Sequence, residues 1–173
     1  MSREADPLRI PKILEDTPSL LRTVTEGFAD QTLQWTPNPE RWSAAMVLAH
    51  LADAEVTCFQ TRLKRIATED LPVLEPYDQW AFLRAQSKFP AGESLEKLQR
   101  ERQATLAFLR TLSSGVLTRT CQHQQLGPLT FEHLLNEFAF HDMGHIRQIL
   151  ELCRAHTYYP QMGGWQQYYT VNP

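Results

Sequence analysis

His141 and His145 are the residues whose types and spacing most directly permit chemistry in this 173-residue chain. Four residues turn an α-helix by about 400°, so the two imidazoles project about 40° apart, one turn above the other. At that offset both rings can reach one metal ion at roughly 2.0–2.1 Å. The segment around them carries Phe131, Leu134, Leu135, Phe138, Ile149 and Leu152 on one face. His145 falls within that face and His141 on its edge. Ring nitrogens aimed at a core need partners. A metal would take one nitrogen from each ring; hydrogen bonds to buried polar groups would serve as well, and the pattern alone leaves both open.

His50 is the third candidate, on the flank of a second apolar face beside Val47, Ala54 and Cys58. Taken alone it reads first as an ordinary, partly buried histidine. Taken with the other two, it makes three imidazoles from two helices, with at least one coordination position left for water or substrate. That is the open geometry of a catalytic metal site. His123, His133 and His156 carry weaker signals. Three carboxylates are candidate general bases by type only: Glu55, Glu137 and Asp142. Asp142 could accept a ring N–H from a ligating histidine. Glu55 lies two turns from Arg62 on one stripe and is expected to pair with it, with a histidine or with water.

The elements that must position these groups read as helices. Thr17-Pro18 predicts a helix start running toward Gly27, with a short helical segment before it. Ser43 predicts the cap of a long helix reaching about Ala67, and Tyr77 to Ser87 a short connecting helix. Ser94 predicts the start of a third long helix to about Leu112, and Thr130 a fourth to about Arg154. Few runs look strand-like. Four long helices joined by connections of more than 15 residues predict an all-α four-helix bundle with a long crossover connection. The chain reads as one domain, 1–173, with a core at about 18–154. Its tail, 158–173, holds Tyr159, Trp165, Tyr168 and Tyr169, and burial of those rings against the body is the expectation.

Composition narrows the function classes. Hydrophobic residues make up 42% of the chain and charged residues 21%, enough apolar material for a sizeable core. Seventeen Lys+Arg against 20 Asp+Glu give a net charge of −3, without the broad positive field of a nucleic-acid binder. No stretch of about 18 apolar residues offers a membrane span, and the polar opening Met1–Pro7 has no apolar core of a secretory signal. Cys58, Cys121 and Cys153 are odd in number and widely spaced, as reduced thiols of a cytoplasmic protein would be.

Two segments carry a resemblance to a known family. Glu40-Arg41-Trp42-Ser43, followed by Val47-Leu48-Ala49-His50-Leu51-Ala52-Asp53-Ala54-Glu55, resembles the opening of the second helix in DinB/YfiT-like proteins. Gly127-Pro128-Leu129-Thr130 through His141-Asp142-Met143-Gly144-His145-Ile146-Arg147-Gln148-Ile149 resembles the family's last core helix. Shorter matches lie at Arg62–Ala67 and at Arg102-Gln103-Ala104-Thr105-Leu106, so the resemblance spans roughly Pro18 to Arg154. It implies a four-helix bundle holding a divalent metal, usually zinc or nickel, on three histidines that correspond by position to His50, His141 and His145. It supplies no agreed catalytic base.

The activity expected from the resemblance is transfer of a low-molecular-weight thiol, such as bacillithiol or mycothiol, to an electrophile. A metal that tolerates soft ligands favours a bound thiolate, the stronger nucleophile. The alternatives are metal-dependent hydrolysis and non-catalytic, stress-related binding of a metal or small ligand. The expected partners are a small-molecule thiol or electrophilic substrate and a second copy of the chain, with no nucleic acid and no membrane.

Overall fold

Four helical rods carry the candidate residues in the computed structural model, which describes residues 6–173. The first is α1 (Lys12–Thr25), followed by the short α2 (Asp30–Gln34). The second is continuous but not uniform: α3 (Ala44–Ala54) passes into a π-helical turn (Glu55–Gln60) and then into α4 (Thr61–Thr68). After the short α5 (Gln79–Arg84) come the third rod, α6 (Ala91–Leu109), and the fourth, α7 (Phe131–Thr157). No helix is long and apolar enough to cross a membrane among the described residues.

Packing sets the order of the rods. Both α1 and α3 pack against α6 and α7. The first two rods therefore occupy one diagonal of the bundle and the last two the other. A simple up-down hairpin would seat successive helices side by side, so crossovers are required. The two long connections also form a small sheet that the sequence reading did not anticipate. In it β1 (Val73–Leu74) pairs in parallel with β2 (Thr120–His123), which pairs antiparallel with β3 (Gly127–Thr130) in the register Cys121↔Leu129.

The helix starts show which local signals prevailed. Ser43 caps α3 by accepting from the Met46 N–H, and Thr130 caps α7 in a reciprocal box with His133. Thr17-Pro18 does not open α1: the helix begins at Lys12 and Pro18 lies inside it. Proline has no N–H to offer the carbonyl four residues back, so the Leu14 carbonyl loses its helical partner there. Ser94 likewise falls inside α6, whose N-cap is Pro90.

The core divides into two apolar clusters. One gathers Leu14, Phe59, Leu63, Leu109, Phe131 and Phe138; the other gathers Leu21, Leu48, Leu51, Leu98, Ile149 and Leu152. Fully burying a leucine such as Leu98 contributes about 1.5–3 kcal/mol. Along α6 and α7 the two clusters are separated by a polar level: Arg102 and Thr105 on one helix, His141, Asp142 and His145 on the other. The tail runs along α7 through polar ties, with Arg154 donating to the Thr170 carbonyl and Arg41 to the Pro173 carbonyl. Contrary to expectation, Trp165, Tyr168 and Tyr169 stay exposed. Trp165 and Tyr168 pack on each other instead, with ring centres 5.9 Å apart.

Candidate metal centre

The Ser43 cap fixes where α3 begins, and with it which side chains turn inward. His50 is buried beside Leu51, at 1% exposure, while His141 and His145 face it from α7 and are half-buried. The Nε2 atoms of His50 and His141 are 3.1 Å apart, and one nitrogen from each of the three rings lies within 4.8 Å of the others. Bonds of 2.0–2.1 Å to a common centre place neighbouring ligand nitrogens about 3.0–3.4 Å apart, so the His50–His141 pair already has the spacing of two ligands.

Electrostatics leave these rings uncharged. Burial, with the neighbouring His145 adding to it, pushes His50 and His141 down to about 3. Burial also lowers His145, against the opposing pull of its Gln148 hydrogen bond and of Asp142. Neutral imidazoles are the form that coordinates a metal. The Nδ1–H of His145 donates to the Gln148 Oε1 at 2.9 Å, which leaves Nε2 as the nitrogen with a free lone pair. The Nδ1 atoms of His50 and His141 are buried without a partner. His145 thus has a partner outside the cluster, whereas His50 and His141 hydrogen-bond only to each other, through Nε2.

The surroundings leave one side open. Trp42, immediately before the Ser43 cap, sits edge-on to His50 at 5.1 Å and lies parallel to His145 at 6.4 Å. A cavity of about 890 Å³ opens past His141 and His145, bounded by Arg41, Trp42, Glu137, Arg147, Gln148 and Glu151 among others. Three neutral nitrogens within 4.8 Å of one another, with His141 and His145 on the cavity wall and His50 buried behind them, could hold a divalent cation and still admit a ligand to it.

The three candidate carboxylates separate. Glu137 lies on the cavity wall one turn before His141; the residue as a whole is exposed, but partial desolvation of its carboxyl, opposed by Arg62, raises it above the usual range. Glu55 and Asp142 face away from the cavity, toward Arg102. The Arg102 Nε donates to Glu55 at 2.8 Å, while Nη1 and Nη2 donate to the two Asp142 oxygens at 2.7 and 3.1 Å. Asp142 therefore receives no ring N–H, and its oxygens are taken by the guanidinium. Glu55 does not pair with Arg62, whose Nη2 donates to the Glu75 carbonyl instead. Arg102 was missed as a core residue because it lies within the polar run Gln99-Arg100-Glu101-Arg102-Gln103, which reads as a solvated face. Its signal lay in the two buried acids on other helices, which need a cation.

Comparison with known proteins follows the same lines. The chain matches the family model of the DinB superfamily over residues 13–149. It is 29% identical over 143 residues, 82% of each chain, to OB0782 of Oceanobacillus iheyensis. It is 30% identical over 146 residues to YfiT of Bacillus subtilis, covering 83% of this chain and 82% of that one. Both relatives bear the name "Putative metal-dependent hydrolase". The solved structure of YfiT superposes with a TM-score of 0.74 at 28% identity, over 90% of this chain and 92% of that one. YfiT is described there as a probable metal-dependent hydrolase with an unusual four-helix bundle topology.

Proposed function

The chain belongs to the DinB superfamily, and from that premise we propose that it is a metal-dependent hydrolase in which His50, His141 and His145 hold one divalent ion, zinc or nickel. The observation that supports this most is the convergence of three neutral imidazoles, two of them on the wall of a cavity that also carries the Glu137 carboxyl. An ion bound there would supply Lewis acidity toward a carbonyl oxygen and acidify water. The chain's own residues do the rest. Gln148 holds the His145 ring in the orientation that offers Nε2. Trp42 covers the His50 and His145 rings from the α3 side. Glu137, held above the usual carboxylate range, takes a proton from the attacking water and returns it to the leaving group.

Thiol transfer is the second reading. The Arg147 guanidinium on the cavity wall suits a low-molecular-weight thiol bearing carboxylates. Cys58, Cys121 and Cys153 are all buried, so such a thiol would come from a cosubstrate.

One set of variants tests both readings. The chain loaded with zinc or nickel is assayed on a panel of esters and amides, and for conjugation of bacillithiol to monobromobimane. One equivalent of metal with hydrolysis is the expected result. His141→Ala/His145→Ala should lose both, and Glu137→Gln should keep the metal but lose about 10²–10⁴-fold in turnover. Full metal content in the double variant overturns the ligand set, and undiminished turnover in Glu137→Gln overturns the proton carrier. Conjugation without hydrolysis replaces the first reading by the second. Metal uptake with neither activity leaves a binding protein.

A further inference from the structure

We infer that Arg102 is a positioning residue: its guanidinium sets the spacing between the rod that carries His50 and the helix that carries His141 and His145. The inference rests on the metal reading for its consequence, but its geometry stands apart from it.

Arg102 projects from α6, a rod that carries none of the three histidines, and is almost fully buried. Four of its five N–H groups are committed to three other segments. Nε donates to Glu55 on the π-helical turn, five residues after His50. Nη1 and Nη2 grip both oxygens of Asp142, the residue after His141. Nη1 also donates to the Leu14 carbonyl at 2.7 Å, the acceptor that Pro18 deprives of its helical N–H. A guanidinium is planar and rigid, so the separation of two carboxylates bound to one fork is fixed by the fork itself. Here those carboxylates belong to the two rods whose imidazoles must meet.

The π-helical turn makes the grip possible. The Thr61 hydroxyl donates to the Val56 carbonyl five residues back, which marks the widened turn. Such turns recur at functional sites. Glu55, at its start, is buried against Arg102 and Thr105, whose hydroxyl donates to the second Glu55 oxygen at 2.6 Å. A second route is stacked. The Arg102 guanidinium lies 4.4 Å over the Phe138 ring, Phe138 stacks on Phe59 at 4.0 Å, and Phe59 meets His141 at 5.0 Å. A shift of the guanidinium therefore reaches His141 from its neighbour in sequence and from its neighbour in space.

Arg102→Lys keeps the charge and removes the fork. Leu98→Ala, one turn away on α6, loosens the adjacent apolar cluster and leaves the fork intact. Imidazole ¹⁵N resonances of the metal-free variants report how the rings sit, and competition with a chromophoric chelator reports zinc affinity. We expect Arg102→Lys to shift the His50 and His141 resonances and to weaken zinc binding roughly 10-fold, the lower end of what losing a direct hydrogen-bond partner of a metal ligand costs, because Arg102 acts one contact further out. Leu98→Ala should leave both at wild-type values. Unmoved resonances in Arg102→Lys, or equal changes in Leu98→Ala, overturn the inference whether or not zinc binds. Failure of the wild-type chain to take up zinc or nickel overturns the metal reading alone.

Discussion

Two polar clusters share the middle of this bundle, and they are completed in opposite ways. Arg102, Glu55, Asp142 and Thr105 close on one another: the guanidinium, both carboxylates and the hydroxyl all find partners within the protein. The three imidazoles close only in part, through the His50–His141 contact and the His145–Gln148 bond. Their nitrogens converge beside a cavity, and two Nδ1 atoms are buried unpaired. A buried polar group completed by the chain fastens elements together, because every unmatched alternative costs more. A buried set left incomplete while its lone pairs converge is shaped for something outside the chain.

The sharpest way to break that comparison is to remove the centre of the closed cluster. Arg102→Met leaves Glu55 and Asp142 buried without a counter-charge, and urea unfolding should show a loss of about 3–5 kcal/mol. His145→Ala in the metal-free protein should cost less than half as much, since it strands no buried charge. Equal losses would mean that both clusters are fasteners.

How much of this was legible beforehand follows the range of each signal. The four-residue step from His141 to His145 and the caps at Ser43 and Thr130 are local, and α3 and α7 begin where those caps place them. Pro18 and Ser94 misled because each is also a sound helix-start signal. Tertiary packing kept both inside helices, and Arg102 supplies the donor that reaches Leu14 in place of the N–H that Pro18 lacks. The Arg102 grip spans 47 residues to Glu55 and 40 to Asp142, and no periodicity reports a contact at that distance. The parallel pairing of β1 with β2 joins the two crossover connections and was hidden for the same reason. The exposed tail aromatics show the limit of arguing from hydrophobicity alone, since main-chain ties to Arg41 and Arg154 hold the segment without burying its rings.

Metal removal sharpens the comparison from the open side. An ion bound only to the folded chain stabilises it by about 2.7 kcal/mol at a free concentration 100 times its Kd. At roughly 2–4 °C per kcal/mol for a domain of this size, chelation should lower Tm by about 5–10 °C. His141→Ala/His145→Ala should show no metal-dependent shift, whereas Arg102→Met should keep a reduced one. A Tm that ignores a confirmed loss of metal would make the imidazole cluster a structural feature with no guest.

The smallest effect probes the one uneven point in the closed cluster. Two carboxylates share one guanidinium. Asp142 takes both prongs of the fork, and Glu55 is left with the single Nε bond. Burial, reinforced by the nearby Asp142 charge, holds the Glu55 carboxyl above its ordinary 4.5, against the opposing pulls of Arg102 and Thr105. A carboxyl raised in the fold binds its proton more tightly there than in the unfolded chain. Its contribution to stability is therefore full below the ordinary value and declines as pH climbs from 4.5 through the raised value in the fold. Glu55→Gln keeps an acceptor for the Arg102 Nε and turns its amide toward the Thr105 oxygen, whose hydroxyl proton is then free to go to the Glu101 carbonyl, 3.2 Å away. The substitution should change stability by no more than about 1.5 kcal/mol at neutral pH. It should also flatten the difference in unfolding free energy between pH 4.5 and pH 7 relative to wild type. A variant with the wild-type slope would mean that Glu55 titrates as it does in the unfolded chain, and the cluster would then be balanced at every contact.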